Sequence, residues 1–148
     1  MPTNLYGPGD NFDLDTSHVV PALMRKAHEA KLRGDRAITV WGTGSPRREF
    51  LHVNDCADAL VHLMQVYSGD QHVNVGSGDV VTILELVKLI TGVVGFDGEV
   101  VHDLLKKDVP ARKLMSADKI RAMGWAPKIS LQDGLASAYR AFLAIPGL

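Results

Sequence analysis

Apolar residues along the chain fall into runs at helical spacing separated by short alternating runs. In "SHVVPALMRKAHEAKLRG", Val20, Leu23, Met24 and Ala27 share one side and Arg25 and Lys26 the other. That spacing predicts a helix capped by Thr16 or Ser17, started through Pro21 and ended near Gly34. "AITVWG" alternates as a strand, the Gly42 to Pro46 turn reverses the chain, and "REFLHV" reads as a second strand. Asn54 or Asp55 then caps a helix to about Tyr67, with Ala59, Leu60, Leu63 and Met64 inward. "HVNVGSG" is a third strand segment. Thr82 caps a helix whose stripe is Ile83, Leu86, Val87 and Ile90, with Gly92 or Gly95 at its end. "EVVHD" gives a fourth strand, "DVPARKLM" an irregular basic loop, Ser116 to Met123 a short capped helix, and "SLQDGLASAYRAFLAI" a closing amphipathic helix. The pattern is an α/β chain with an α+β-like layer, its long loops at residues 6–17, 42–48 and 103–113.

Composition narrows the function. The chain has 148 residues, 46% apolar and 22% charged, enough to bury a core. Sixteen basic against 17 acidic residues leave a formal charge of −1, without the footprint of a nucleic-acid binder. The single cysteine, Cys56, rules out an internal disulfide framework and reads as a small buried residue. No apolar run reaches the ~20 residues needed to cross a bilayer, and the expected location is the cytoplasm. Any anion site must be local.

Within "TGSPRREFLHVND", residues 43–55, period-two alternation puts Arg48, Phe50 and His52 on one face and Glu49, Leu51 and Val53 on the other. A fixed cation beside an aromatic ring, with Trp41 nearby, suits either a solvated edge or a grip on a diphosphate. His18, at a helix start after a turn-rich loop, is either a backbone-bonded residue or a proton carrier. Arg112 and Lys113 form a second basic cluster. Two GxG stretches, Gly42 to Gly44 and Gly76 to Gly78, lack the third glycine of a dinucleotide fingerprint. His52, Cys56 and His62 lie close in sequence but on different elements, so no metal site is expected. His28, His62, His72 and His102 read as surface or satisfied histidines.

Taken in order, "PTNLYGPGDNF", "SHVVPALMRK", "VWGTGSPRREFLHVND", "VNVGSG" and "ARKLM" resemble the C-terminal half of the GDP-L-fucose synthase family, extended short-chain dehydrogenase/reductases. The resemblance runs from Pro2 to about Phe142. It implies NADP as cofactor and GDP-4-keto-6-deoxy-mannose as substrate, epimerised at C3 and C5 and then reduced at C4 to GDP-L-fucose. It implies that Pro2, Thr3, Asn4 and Leu5 line the nicotinamide end of the cofactor site. His18 would lie beside them and act as the acid that returns or guides a proton. Arg48 would clamp the diphosphate, Trp41 and Lys26 would contact the nucleotide-sugar, and Lys113 would close the pocket.

The resemblance also shows departures. Asn54 stands where the family has aspartate, and Ala111 stands before the Arg-Lys pair where the family has proline. No tyrosine is followed by lysine four positions later: Tyr6 is followed at that spacing by Asp10, Tyr67 by Gln71 and Tyr139 by Leu143. The glycine fingerprint and the cysteine that partners the histidine are likewise missing. The expectation is therefore a substrate-binding half without the N-terminal Rossmann core, inactive alone. Residues 1–17 would be the last Rossmann strand and an active-site loop, and residues 18–148 the nucleotide-sugar domain. The resemblance leaves a homodimer as one possible state, since the family's enzymes usually pair through helices of the absent half. Two other readings stay open: part of another nucleotide-sugar epimerase or dehydratase, and a binding module without catalysis.

Overall fold

A computed structural model describes residues 1–106, the backbone of 112–113, and residues 115–146. The elements follow in the order β1 (Asn4–Tyr6), α1 (Val19–Arg33), β2 (Ala37–Trp41), β3 (Arg47–His52), α2 (Val53–Val66), β4 (Val80–Thr82), α3 (Ile83–Val94), β5 (Glu99–Asp103), β6 (Arg112–Lys113), α4 (Asp118–Ala122) and α5 (Leu131–Leu143). The mixed α/β class is as the patterning predicts.

β3 organises the molecule. Its last three residues pair in parallel with β1, Asn4 opposite Phe50 and Tyr6 opposite His52. Its first three pair antiparallel with β4, and Arg47 and Arg48 also pair in parallel with Arg112 and Lys113 of β6. β2 pairs separately with β5, in parallel. The Gly42 to Pro46 turn thus does not fold β2 back onto β3; it carries the chain from one sheet to the other. "HVNVGSG" forms no full strand, its ladder being a single bridge from Val75 to Pro2.

Alternation along β3 divides the core in two. Phe50 faces a larger cluster built by α1, β2, α3 and α5, with Met24, Ala27, Leu86, Ile90 and Leu135 at its centre. Leu51 faces a smaller one with Cys56, Ala59, Val75, Ile120 and Trp125. Each fully buried aliphatic side chain contributes about 1.5–3 kcal/mol of transfer free energy, so the larger cluster dominates. On the Leu51 face Glu49 is also buried, and its Oε1 accepts the Gly78 N–H at 2.7 Å. A Cβ at position 76 would collide with that carboxylate. Gly76 therefore serves a close approach to β3, whereas a Cβ at Gly78, at φ 81°, would meet the Arg121 guanidinium.

Local chemistry sets several boundaries where the patterning puts them. Gly34 ends α1 at φ 69°, and Thr82 with Glu85 forms a reciprocal capping box on α3. Ser130 caps α5 and Ser116 accepts the Asp118 N–H ahead of α4. Two starts differ. Thr16 does not cap α1, because Asp13 Oδ1 accepts both its N–H and its hydroxyl. Ser17 does not either, and His18 occupies the N-cap position without a side-chain cap bond. In α2 the cap is His52, whose Nδ1 accepts the Asn54 N–H at 3.2 Å, rather than Asn54 or Asp55. Asp55 instead reaches across to accept N–H bonds from Lys128 and Ile129.

The inward stripe of α2 also differs from the expected one. Asp55, Cys56 and Ala59 are buried, whereas Leu60 is 56% and Met64 85% exposed. Val61 and Val66 extend the same apolar excess. Helical periodicity marks an apolar side but does not say what covers it. The basic loop around Pro110 and Ala111 lies outside the described residues. Among the described residues no helix is long and apolar enough to cross a membrane.

Candidate functional site

A cavity of about 490 Å³ opens between α1, β2 and β3, with Ile83 of α3 at its back. The helical repeat places Val19, Ala22, Leu23 and Lys26 along one side of α1, facing it. β2 presents Thr39 and Trp41, while Ile38 and Val40 pack in the core. β3 adds Arg48 and Phe50, β1 adds Asn4, and the loop before α1 adds Leu14, Asp15 and Ser17.

The electrostatics are one-sided. Lys26 and Arg48 have no ion-pair partner among the described residues. The Arg48 guanidinium donates one hydrogen bond, to Arg47 O at 2.7 Å. The Lys26 ammonium lies 5.1 Å from the Trp41 ring centroid, and the Lys106 ammonium 5.2 Å from it. Trp41 is itself 63% exposed, and its ring already carries these two ammonium groups. An apolar wall, an exposed indole and two cations without an ion pair among the described residues suit a planar base carrying phosphates. Asp15, exposed at the same cavity, is the one acidic side chain lining it among the described residues.

The structure thus brings together Asn4, Lys26, Trp41 and Arg48 from the expected set. Lys113 holds the register position beside Arg48. His18 does not line the cavity, but both its chain neighbours, Ser17 and Val19, do, and its side chain is exposed. Pro2 bridges Val75, and the Thr3 hydroxyl and Asn4 amide both donate to Glu49 O. Leu5 lines a separate hollow of about 190 Å³ with Gly7, Pro8 and Gly9.

His52 is the residue that leaves the expected face. It does not share the cavity of Arg48 and Phe50 but is buried edge-on to Tyr6, at 5.5 Å between ring centroids. The reason is that β3 runs into α2 without a linker, so His52 must serve as a cap. Burial lowers its pKa below the ordinary value, opposed by the neighbouring Asp55. Burial, with Asp55 and Asp133, raises the Tyr6 pKa, the reverse of what a proton-donating reductase phenol needs. His28, His62 and His102 are bonded to Tyr139 Oη, Met123 O and Gly42 O. Among the described residues no group of three His, Cys, Asp or Glu side chains is placed to hold a metal.

Sequence reasoning missed Ser17 and the contribution of Asn4 to this cavity. It also missed the apolar wall from Leu14 and Val19 to Ile83. The spacing of Val19, Ala22 and Lys26 carried a signal for that wall, since these positions flank the buried stripe to which Leu23 belongs. Nothing local marked Ser17.

Residues 1–76 match the NAD dependent epimerase/dehydratase family. The chain belongs to this family. Its curated relatives include GDP-L-fucose synthase 1 of Arabidopsis thaliana, 57% identical over 97% of this chain and 44% of the relative. GDP-L-fucose synthase of Escherichia coli K12 is 47% identical over 97% of this chain and 47% of the relative. Among solved structures, a GDP-L-fucose synthetase from Naegleria fowleri bound to NADP superposes with a TM-score of 0.89 at 30% identity. It matches 96% of this chain, which covers 45% of the Naegleria chain. A GDP-D-glycero-L-gluco-heptose synthase from Campylobacter jejuni superposes at 0.85 with 32% identity, over 97% of this chain and 52% of that one. This epimerase-family chain spans about half the length of the curated relatives it matches.

Proposed function

We propose that this chain is the C-terminal, nucleotide-sugar-binding part of a GDP-L-fucose synthase. The complete enzyme converts GDP-4-keto-6-deoxy-D-mannose to GDP-L-fucose by 3,5-epimerisation and NADP-dependent 4-reduction. One observation carries the reading: Lys26, Trp41 and Arg48, from three different elements, line one cavity in a chain 57% identical to a relative of that name.

In this reading Arg48 forks onto the diphosphate, Lys26 adds a second charge, and Trp41 flanks the nucleotide with the apolar wall of α1 opposite. Lys113, next to Arg48 in the sheet register, closes the far side. His18, between two cavity-lining residues, exchanges the proton beside the ketone, a task for which imidazole is suited. NADPH, when bound, would supply the hydride for C4. The residues present fit its nicotinamide end: the segment Pro2, Thr3, Asn4 and Leu5 joins the main cavity at Asn4 to the shallow hollow at Leu5. They do not supply a pyrophosphate cradle, since the chain has no glycine fingerprint.

That division implies a partner. Residues 1–17 would belong to the dinucleotide-binding unit, residues 18–148 to the nucleotide-sugar unit, and an N-terminal Rossmann half would cover the exposed Leu60 and Met64 of α2. The working enzyme would be cytoplasmic and a homodimer through that half. The test is reconstitution: the chain mixed with, or fused to, residues of a relative that precede the match, assayed for GDP-L-fucose formation from GDP-4-keto-6-deoxy-mannose and NADPH. Activity with the pair and none with either part is expected. A pair that folds and associates but turns over UDP- or dTDP-sugars instead would refute the assignment.

A further inference from the structure

β2 ends at Trp41, opposite Asp103 of β5, and the backbone just past that pair is clasped. Asp103 O accepts the Gly42 N–H at 3.0 Å and the Lys106 N–H at 3.3 Å, while Asp103 Oδ1 accepts the Leu105 N–H at 3.1 Å. One residue thus ties the turn after Trp41 to the turn that carries Lys106, and the β2–β5 ladder sets where that lysine starts. The result is the 5.2 Å approach of its ammonium to the exposed indole, which the Lys26 ammonium approaches at 5.1 Å. Two like charges gather at one ring. Neither has an ion pair among the described residues, and Asp15 on the cavity and Asp103 in the turn neutralise neither.

We propose that Lys106 is a third cation of this site, binding a phosphate of the nucleoside diphosphate that Arg48 and Lys26 also hold. The inference rests on the pocket reading above and adds a residue to it. Like charges gathered at one side chain repel each other until an anion sits among them. The indole is the weaker partner, because an ammonium over an exposed ring gains less than one charge-assisted hydrogen bond to a phosphate oxygen. Lysine suits a change of partner, being a point charge with three donors on a flexible stem. Lys106 is exposed, and what the fold holds is its turn rather than its ammonium. The indole is therefore its partner in the free chain and the phosphate its partner in the complex, a transfer that also frees ring surface for the base. Lys106 is a binding residue and takes no part in bond making.

The test is titration of the 148-residue chain with GDP by calorimetry, at low and at high salt. Lys106→Met, which keeps the apolar stem, is expected to weaken GDP about 3- to 10-fold at low salt. The gap from wild type should close at high salt, as screening removes what the charge contributes. Lys106→Arg, which keeps the charge, should stay within about threefold of wild type. Both thermal midpoints should hold within a few degrees, since the side chain is exposed and makes no ion pair among the described residues. GDP held by Lys106→Met as tightly as by wild type overturns the contact. GDP held more tightly overturns it as well, by making the ammonium a rival of the base for the ring. So does a loss that high salt leaves unchanged or that Lys106→Arg fails to repair, by placing the effect in the packing of Trp41. In each of these cases the wild type binds GDP and the pocket reading stands. Wild-type chain that binds no GDP overturns the pocket reading and this contact with it.

Discussion

Arg48→Ala probes the cavity with the least interference from the fold. In the free chain the guanidinium makes one hydrogen bond, to the carbonyl of its own neighbour Arg47, and no ion pair among the described residues. Removing it should therefore shift stability by no more than about 0.5 kcal/mol. Against a diphosphate the same group counts for much more. A charge-assisted hydrogen bond contributes about 1.5–3 kcal/mol. Coulomb's law gives about 2 kcal/mol for one pair of unit charges about 4 Å apart at an effective dielectric of about 40. These are two descriptions of one contact and are not summed, and Lys26 remains to hold part of the charge. A net loss of about 2–3 kcal/mol converts to a GDP affinity about 30- to 150-fold weaker. Arg48→Lys keeps the charge but loses the fork, so its loss should be about 5- to 10-fold. Titration calorimetry at low and high salt reads both effects, and the alanine variant should show the shallower salt dependence. GDP binding within about threefold of wild type, with unchanged salt dependence, would refute the diphosphate role of Arg48.

Asp55→Ala removes the acceptor of the Lys128 and Ile129 N–H groups. Leaving both donors unpaired should cost about 2–5 kcal/mol in urea unfolding, and Asp55→Asn about half as much. Because the His52 pKa is lowered in the folded chain, its contribution is fully present above the unfolded value near 6.5. The unfolded chain binds the proton first, so this stability is lost as pH falls from there towards the folded pKa. The urea midpoint should drop between pH 7 and 5, and His52→Asn, which keeps a cap acceptor, should flatten the drop; an unchanged slope would contradict the burial argument. Met64→Glu and Leu60→Lys should leave the chain's melting midpoint within a few degrees yet abolish reconstitution with an N-terminal half, read by size-exclusion chromatography. Unimpaired association would locate the docking face elsewhere.

What could be read from sequence is what local chemistry decides. Thr82 with Glu85, Ser130 and Gly34 fix their helix ends through groups within four residues, so their spelling suffices. The α2 start escaped because an imidazole acts there as the acceptor, with the more usual caps Asn54 and Asp55 beside it. Arg48 and Trp41 stood out in the alternating segment and Lys26 came from the motif resemblance; that they share a cavity depends on how α1, β2 and β3 pack, which no local pattern encodes. Leu60, Met64 and Ser17 escaped for a common reason. Periodicity and polarity describe what a side chain offers, whereas burial and pairing depend on what meets it. In this chain Leu60 and Met64 leave an exposed apolar stretch on α2, one of several on the surface, while Lys26 and Arg48 line the cavity without an ion pair among the described residues. An apolar face calls for a protein surface, and cations without an ion pair call for an anion. On the function proposed above, a protein half would lie against α2 and a nucleotide-sugar between α1, β2 and β3.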